Sequence, residues 1–135
     1  MAGFTPNEGE TLIAQLIHQR IHVDRDATLE LGLFTDAAPA ETITEATITE
    51  PTGTGYARIT LTDASWTAVA GVAGYAQKTF TGGAGGWTGD VVGYFIASVS
   101  GGGSQRLLYV EVDGSGPYTI GAGSTYKVTP QITIG

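Results

Sequence analysis

The chain has 135 residues and a formal net charge of -7, with no cysteine. This length fits one domain with a real core and needs no disulfide staples, and the missing thiols exclude disulfides and thiolate metal sites. Only six lysines and arginines are present. They are scattered as Arg20, Arg25, Arg58, Lys78, Arg106 and Lys127. No basic stripe is available to neutralise phosphates, so nucleic acid is not an expected partner. An anionic membrane surface would repel the chain, and no stretch reaches transmembrane length. The apolar run Leu12 to Ile17 is too short for a secretory h-region and has acidic residues upstream, so no targeting segment is expected.

Charged residues make up 14% of the chain, below the usual quarter, while glycine reaches 21 residues. This is a strand-and-turn composition. A surface so poor in charge is weakly protected against association, which suits burial against partners.

The chain opens on helix signals. Thr5 stands at an N-cap position, Pro6 at the first helical position, and Glu8 completes a T-x-x-E capping box. Leu12, Ile13, Leu16, Ile17 and Ile21 then share one face at helical spacing. A helix is expected near residues 6–20, within an N-terminal arm spanning 1–25. The remainder, 26–135, reads as a single β domain. Residues 28–35 alternate Leu29, Leu31 and Leu33 against Glu30, Gly32 and Phe34, the period of a half-buried strand. Residues 36–55 are irregular. Strands are expected at 56–62, 66–72 and 74–81, then a flexible loop at 82–89 that leaves Trp87 exposed among glycines. Residues 91–99 are apolar on both faces and read as a central strand. Strand 106–112 returns after GGGS, DGSGP at 113–117 forms a turn, and 126–135 alternates again, with Pro130 marking an edge or bulge. The fold class expected is all-β, a β-sandwich or jelly-roll-like domain of roughly seven or eight strands with one short N-terminal helix.

Sites of chemistry are sparse. His18 and His22 have the helical spacing of a zinc pair, but Gln19 replaces the glutamate a zincin needs and no third ligand is near, so they read as surface histidines. The densest acidic patches are VDRDAT at 23–28, with Asp24 and Asp26, and VEVDGSG at 110–116. Either suits weak calcium binding, yet neither matches a calcium loop, and solvated turns explain both. No nucleophile elbow exists, and the glycine clusters at 82–86 and 101–103 have no following lysine to cradle phosphate. Trp66, Trp87, Tyr94, Phe95, Tyr109 and Tyr118 are enough for a sugar-stacking platform, although core packing accounts for most of them. No enzyme activity, cofactor or metal is expected. Phe4, Leu12, Leu16 and Trp87 are the candidate partner-interface residues, Trp87 because tryptophan favours hot spots.

Several segments occur in an order that resembles short tailed-bacteriophage virion proteins. They are Pro6-Asn7-Glu8-Gly9-Glu10 with the apolar helix, Leu29 to Thr35, Thr49-Glu50 with Gly55-Tyr56-Ala57, and Leu61-Thr62 with Trp66. Val91 to Phe95, Leu107-Leu108 with Glu111, and the closing Val128-Thr129-Pro130-Gln131-Ile132 complete the set. The resemblance implies a virion structural protein and carries no catalytic residue with it. It points to a capsid decoration or cement protein, located on the capsid surface. The partners it implies are the major capsid protein and further copies of the chain in a homotrimer. The alternative is a tail-associated module of a tube, baseplate or fibre tip.

Overall fold

The computed structural model describes residues 2–19, 28–62, 65–98 and 105–133, with backbone alone at residue 2 and residues 14–19. In chain order the first elements are β1 (Ala2–Phe4), α1 (Asn7–Gln19), β2 (Leu29–Phe34), β3 (Thr52–Gly53), β4 (Ile59–Leu61), β5 (Thr67–Val69) and β6 (Val72–Gly74). Then follow β7 (Lys78–Thr81), β8 (Trp87–Thr88), β9 (Gly93–Ser98), β10 (Leu107–Val112), β11 (Thr125–Val128) and β12 (Gln131–Thr133). The fold is all-β with one short helix. Its centre is a five-stranded antiparallel sheet in the order β1-β10-β9-β2-β4. Three small sheets, β12-β6-β5, β11-β7 and β3-β8, complete it.

The alternation in β2 sets the two faces. Leu31 and Leu33 pair with Ile96 and Tyr94 of β9, and these four side chains join a core with Leu61, Phe80, Trp87, Tyr109, Ile120, Val128 and Ile132. The residues between them, Gly32 and Phe34, pair with Phe95 and Gly93. Phe34 and Phe95 belong to a second core with Ala97, Leu107 and Val110. The small sheets therefore supply one cover of the central sheet. On the other side Phe4, Ile43 and Ile48 pack against the second core. The sequence expects β2 to be half-buried, and the structure buries both faces of its second half. The second cover comes from residues 36–50, whose only large apolar side chains, Ile43 and Ile48, are too sparse to show a period.

β9 is buried at every position, as its two-sided apolar sequence indicates. Twelve strands stand among the described residues instead of the seven or eight expected. Segment 66–81 divides into three, because Ala70 and Gly71 take positive φ (51° and 80°) and turn β5 back onto β6. Segment 126–135 divides at Pro130, which has no N–H for a ladder and whose carbonyl accepts the Tyr75 N–H at 3.0 Å. The short pieces β1, β3 and β8 carry no alternation long enough to read.

The N-terminal segment is joined to the sheet. Phe4 pairs with Val110. Gly9 of α1 rests directly on β10, where a Cβ would stand 2.5 Å from the Leu107 carbonyl oxygen. The expected capping box is not what engages Glu8. Its Oε1 accepts the backbone N–H groups of Glu45 (2.8 Å) and Leu107 (2.7 Å) and so ties the helix start to both the 36–50 segment and the sheet. No helix among the described residues is long and apolar enough to cross a membrane.

Candidate functional site

Among the described residues, two clusters of polar side chains lie on opposite faces of the central sheet. On the face shared with Phe34 and Phe95, Arg58 meets three glutamates. Its Nη2 lies 2.8 Å from Glu45 and 2.9 Å from Glu50, and its Nη1 lies 3.6 Å from Glu30. Nε completes a fork onto Glu50 at 3.1 and 3.2 Å. The guanidinium also lies 5.0 Å above the Phe95 ring. That ring occupies the space over Gly32, where any Cβ would collide with it. Tyr56 donates to Glu50 at 2.5 Å and accepts the Leu33 N–H at 3.0 Å. Burial and the bond to Glu50 push the Tyr56 phenol well above its ordinary value. Burial opposes the charge of Arg58, but the hydrogen bonds it donates to Glu50 and Glu45 prevail and hold its proton more tightly than usual. With 16% of its side chain exposed, Arg58 is a closed knot that fastens residues 45, 50 and 30 together.

The second place is open. The pleat of β10 puts Tyr109 and Glu111 on one face, and Glu111 pairs with Tyr94 of β9. Asp113 begins the turn that follows and accepts the Ser115 N–H at 3.0 Å, as an Asx residue does. Opposite stand Tyr126, Lys127 and Val128 of β11 and the link Thr129 to Gln131. Between these walls lies a cleft of about 280 Å³, lined by Tyr94, Glu111, Asp113, Tyr126, Lys127, Val128, Thr129 and Gln131. Three phenols hold its groups in place. Tyr109 donates to Glu111 at 3.2 Å, Tyr126 donates to Asp113 at 3.0 Å, and Tyr94 donates to the Gln131 carbonyl at 3.3 Å. Tyr94 also accepts the Gln131 N–H at 3.3 Å. Burial raises all three phenols above their ordinary values, followed by the charge of Glu111 at Tyr94 and Tyr109 and by the bond to Asp113 at Tyr126. They remain neutral donors throughout the physiological range.

The residues singled out from sequence fall elsewhere. Trp87 is 7% exposed, not a flag on a flexible loop. It enters β8, its Nε1 donates to the Thr54 carbonyl at 3.2 Å, and its ring meets Tyr56 edge-on at 5.3 Å. The glycines around it permit close backbone approach here, where the sequence suggested mobility. Leu12 is 1% exposed, inside the helix that rests on β10, and Phe4 is half-buried against the second core. The side chains of Leu16 and His18 lie outside the described residues, as do His22 and the Asp24/Asp26 patch. Phe4 and Trp87 belong to opposite faces of the sheet, so these positions form no common patch. Among the described residues no group of three or more histidines, cysteines and acids is placed to hold a metal ion.

The acidic patch at 110–116 does reach the cleft through Glu111 and Asp113, and Tyr94 of the aromatic set stands beside them. Tyr126 lies outside the aromatic set that the sequence suggests, although the alternation of 126–132 puts it on the same side as the buried Val128 and Ile132. The class these features define is a small all-β domain with an acidic, tyrosine-walled cleft. No family model, no curated protein and no solved structure matches the chain.

Proposed function

We propose that the chain is a bacteriophage virion structural protein, a capsid decoration or cement protein that binds the shell and stabilises it without catalysis. Its partners are the major capsid protein and other copies of the chain, arranged as a homotrimer on the capsid surface. The observation that supports this reading is the ordered set of segments resembling short virion proteins. Those segments, Leu29 to Thr35, Val91 to Phe95, Leu107 to Glu111 and Val128 to Ile132, are also the ones that build the central sheet and its cover. A resemblance carried by framework positions concerns the whole fold and not one site.

The test is reconstitution. Purified protein added to expanded shells that lack it should co-sediment at fixed stoichiometry and appear by cryo-electron microscopy at a symmetry axis. Light scattering should give a trimer. Failure to bind shells, with density for the chain found in the tail, overturns the reading. The open cleft favours one second reading, a tail-associated tube, baseplate or fibre-tip module that binds a host ligand.

A further inference from the structure

Three features meet at the hairpin of β5 and β6. Its turn residues Ala70 and Gly71 both take positive φ, 51° and 80°. Glycine adopts that region freely, whereas an alanine there is strained, and asparagine is the usual first residue of such a turn. The tip is also apolar in full solvent. Val69 is 74% exposed, with Ala68, Ala70 and Gly71 exposed beside it. Residues 65–77 contain no charged side chain, in a chain that carries -7 overall. Strand edges open to solvent are normally guarded by a lysine, a proline or a bulge. β5 has none of these, and it ends the order β12-β6-β5 with its outer side unpaired among the described residues. Val69 pairs with Val72 across the two-residue turn, so this pair exchanges its backbone bonds, and the N–H and C=O of Ala68 point away from β6.

These features select the occupant. A lipid surface would cover the valine but leave the Ala68 amide and carbonyl without partners. A strand satisfies them. A partner of opposite charge would be drawn to an acidic edge, not to a neutral one. Two copies of the chain, each at -7, repel wherever acidic surfaces meet, and β5 is an edge at which no charge meets. Its pattern is also self-complementary. In an antiparallel pair centred on Ala68, each Thr67 lies opposite a Val69, a pairing of β-branched side chains. We propose that β5 is a self-association edge, at which a second copy of the chain adds its own β5 antiparallel about a two-fold axis at Ala68 and joins the two three-stranded sheets. Three residues a side make this a weak contact, formed at high concentration or where copies are held side by side. A two-fold contact is distinct from a three-fold one, so the inference goes beyond the proposed trimer and does not rest on it.

Sedimentation velocity of the full chain, from micromolar to millimolar concentration, tests this. The mass should double from whatever value it holds when dilute. Val69 is exposed, so Val69→Lys keeps the fold. It puts a guarding charge on the edge and should weaken the doubling at least about tenfold. The chain has no cysteine, so Ala68→Cys reports the register. The two-fold places position 68 of both copies about 5.5 Å apart between Cα atoms, within disulfide reach, and mild oxidation should link them. Ala84→Cys, exposed on another loop, should link many-fold more slowly. A mass that stays constant to millimolar concentration overturns the proposal. So does a doubling that Val69→Lys leaves unchanged, or one in which Ala68→Cys links no faster than Ala84→Cys. Binding to phosphatidylcholine vesicles that Val69→Lys abolishes, with no doubling in solution, overturns it in favour of a membrane. Should Val69→Lys fail to fold, the ratio of the two linking rates decides.

Discussion

Carboxylates lie on both faces of the central sheet, and the two groups are satisfied by different means. Glu30, Glu45 and Glu50 surround a guanidinium from their own chain, while Glu111 and Asp113 face phenols across an open cleft. The first arrangement gathers three carboxylates on one cation of the same chain, and its forked bonds join segments that sequence leaves far apart. The second leaves its charge pointing into space, with tyrosines that orient the acids but do not neutralise them. A buried ion pair holds structure because breaking it strands a charge, whereas a carboxylate bonded to a neutral donor remains open to a further cation.

The largest expected effect comes from breaking the closed knot. Arg58→Met leaves three glutamates facing one another and should cost about 3 kcal/mol in urea unfolding. Arg58→Lys keeps the charge without the fork and should recover part of that loss; no recovery would mean that packing on Phe95, not charge, is what Arg58 supplies. Next is Glu8→Ala, which removes the acceptor of two backbone N–H groups and should cost about 2 kcal/mol by the same measurement. A smaller figure would place water at those amides.

Alkaline titration separates the phenols of the two regions from a half-buried one outside them, Tyr75. Tyr56, Tyr94 and Tyr126 have folded pKa values above the unfolded value of 10.0. Their contribution to stability is complete below pH 10 and is lost as pH rises beyond it, because the unfolded chain releases these protons first. Tyr75, whose hydroxyl is bonded by Thr62, lies below its ordinary value and should ionise ahead of them. Absorbance at 295 nm should therefore rise in two stages, the second coinciding with unfolding. A single smooth rise centred at pH 10 would show the phenols to be accessible. The smallest effect is expected in the cleft. Glu111→Gln keeps an acceptor for Tyr109 and should change stability by less than about 0.5 kcal/mol. A loss as large as that of Arg58→Met would make the cleft acids part of the scaffold and erase the contrast.

Sequence conveys this architecture unevenly. The period-2 pattern of Leu29 to Phe34 and the unbroken apolar run of β9 are readable because each is a local consequence of which faces are buried. The second cover is not, since residues 36–50 hold their place by Glu45 and Glu50 bonding to Glu8 and Arg58, while Asp36 closes the segment on itself through the Thr49 N–H at 2.8 Å. Trp87 misleads because glycine serves close packing as well as freedom, and nothing in GGAGGWTG distinguishes the two. The cleft is half legible. Its acids sit in a visible acidic turn, but the facing wall arrives from β11 through a pairing with β7, Tyr126 opposite Phe80, that no spacing reveals.

The pairing of β1 with β10 also governs the order of events during synthesis. Residues 2–4 find their hydrogen-bonding partners only at 110–112, and Glu8 reaches Leu107 across 99 positions. While the ribosome is still making β2 to β9, the start of the chain has no strand to join and Glu8 has no Leu107 amide to bind. One edge of the sheet therefore closes late, and β10 stays unpaired on that side until it does. Loop closure of this length slows folding and prolongs exposure of a strand edge. Among the described elements, β1 and the first turn of α1 can latch onto β10 once residues 107–112 are made, whereas the first core still waits for Ile120, Val128 and Ile132.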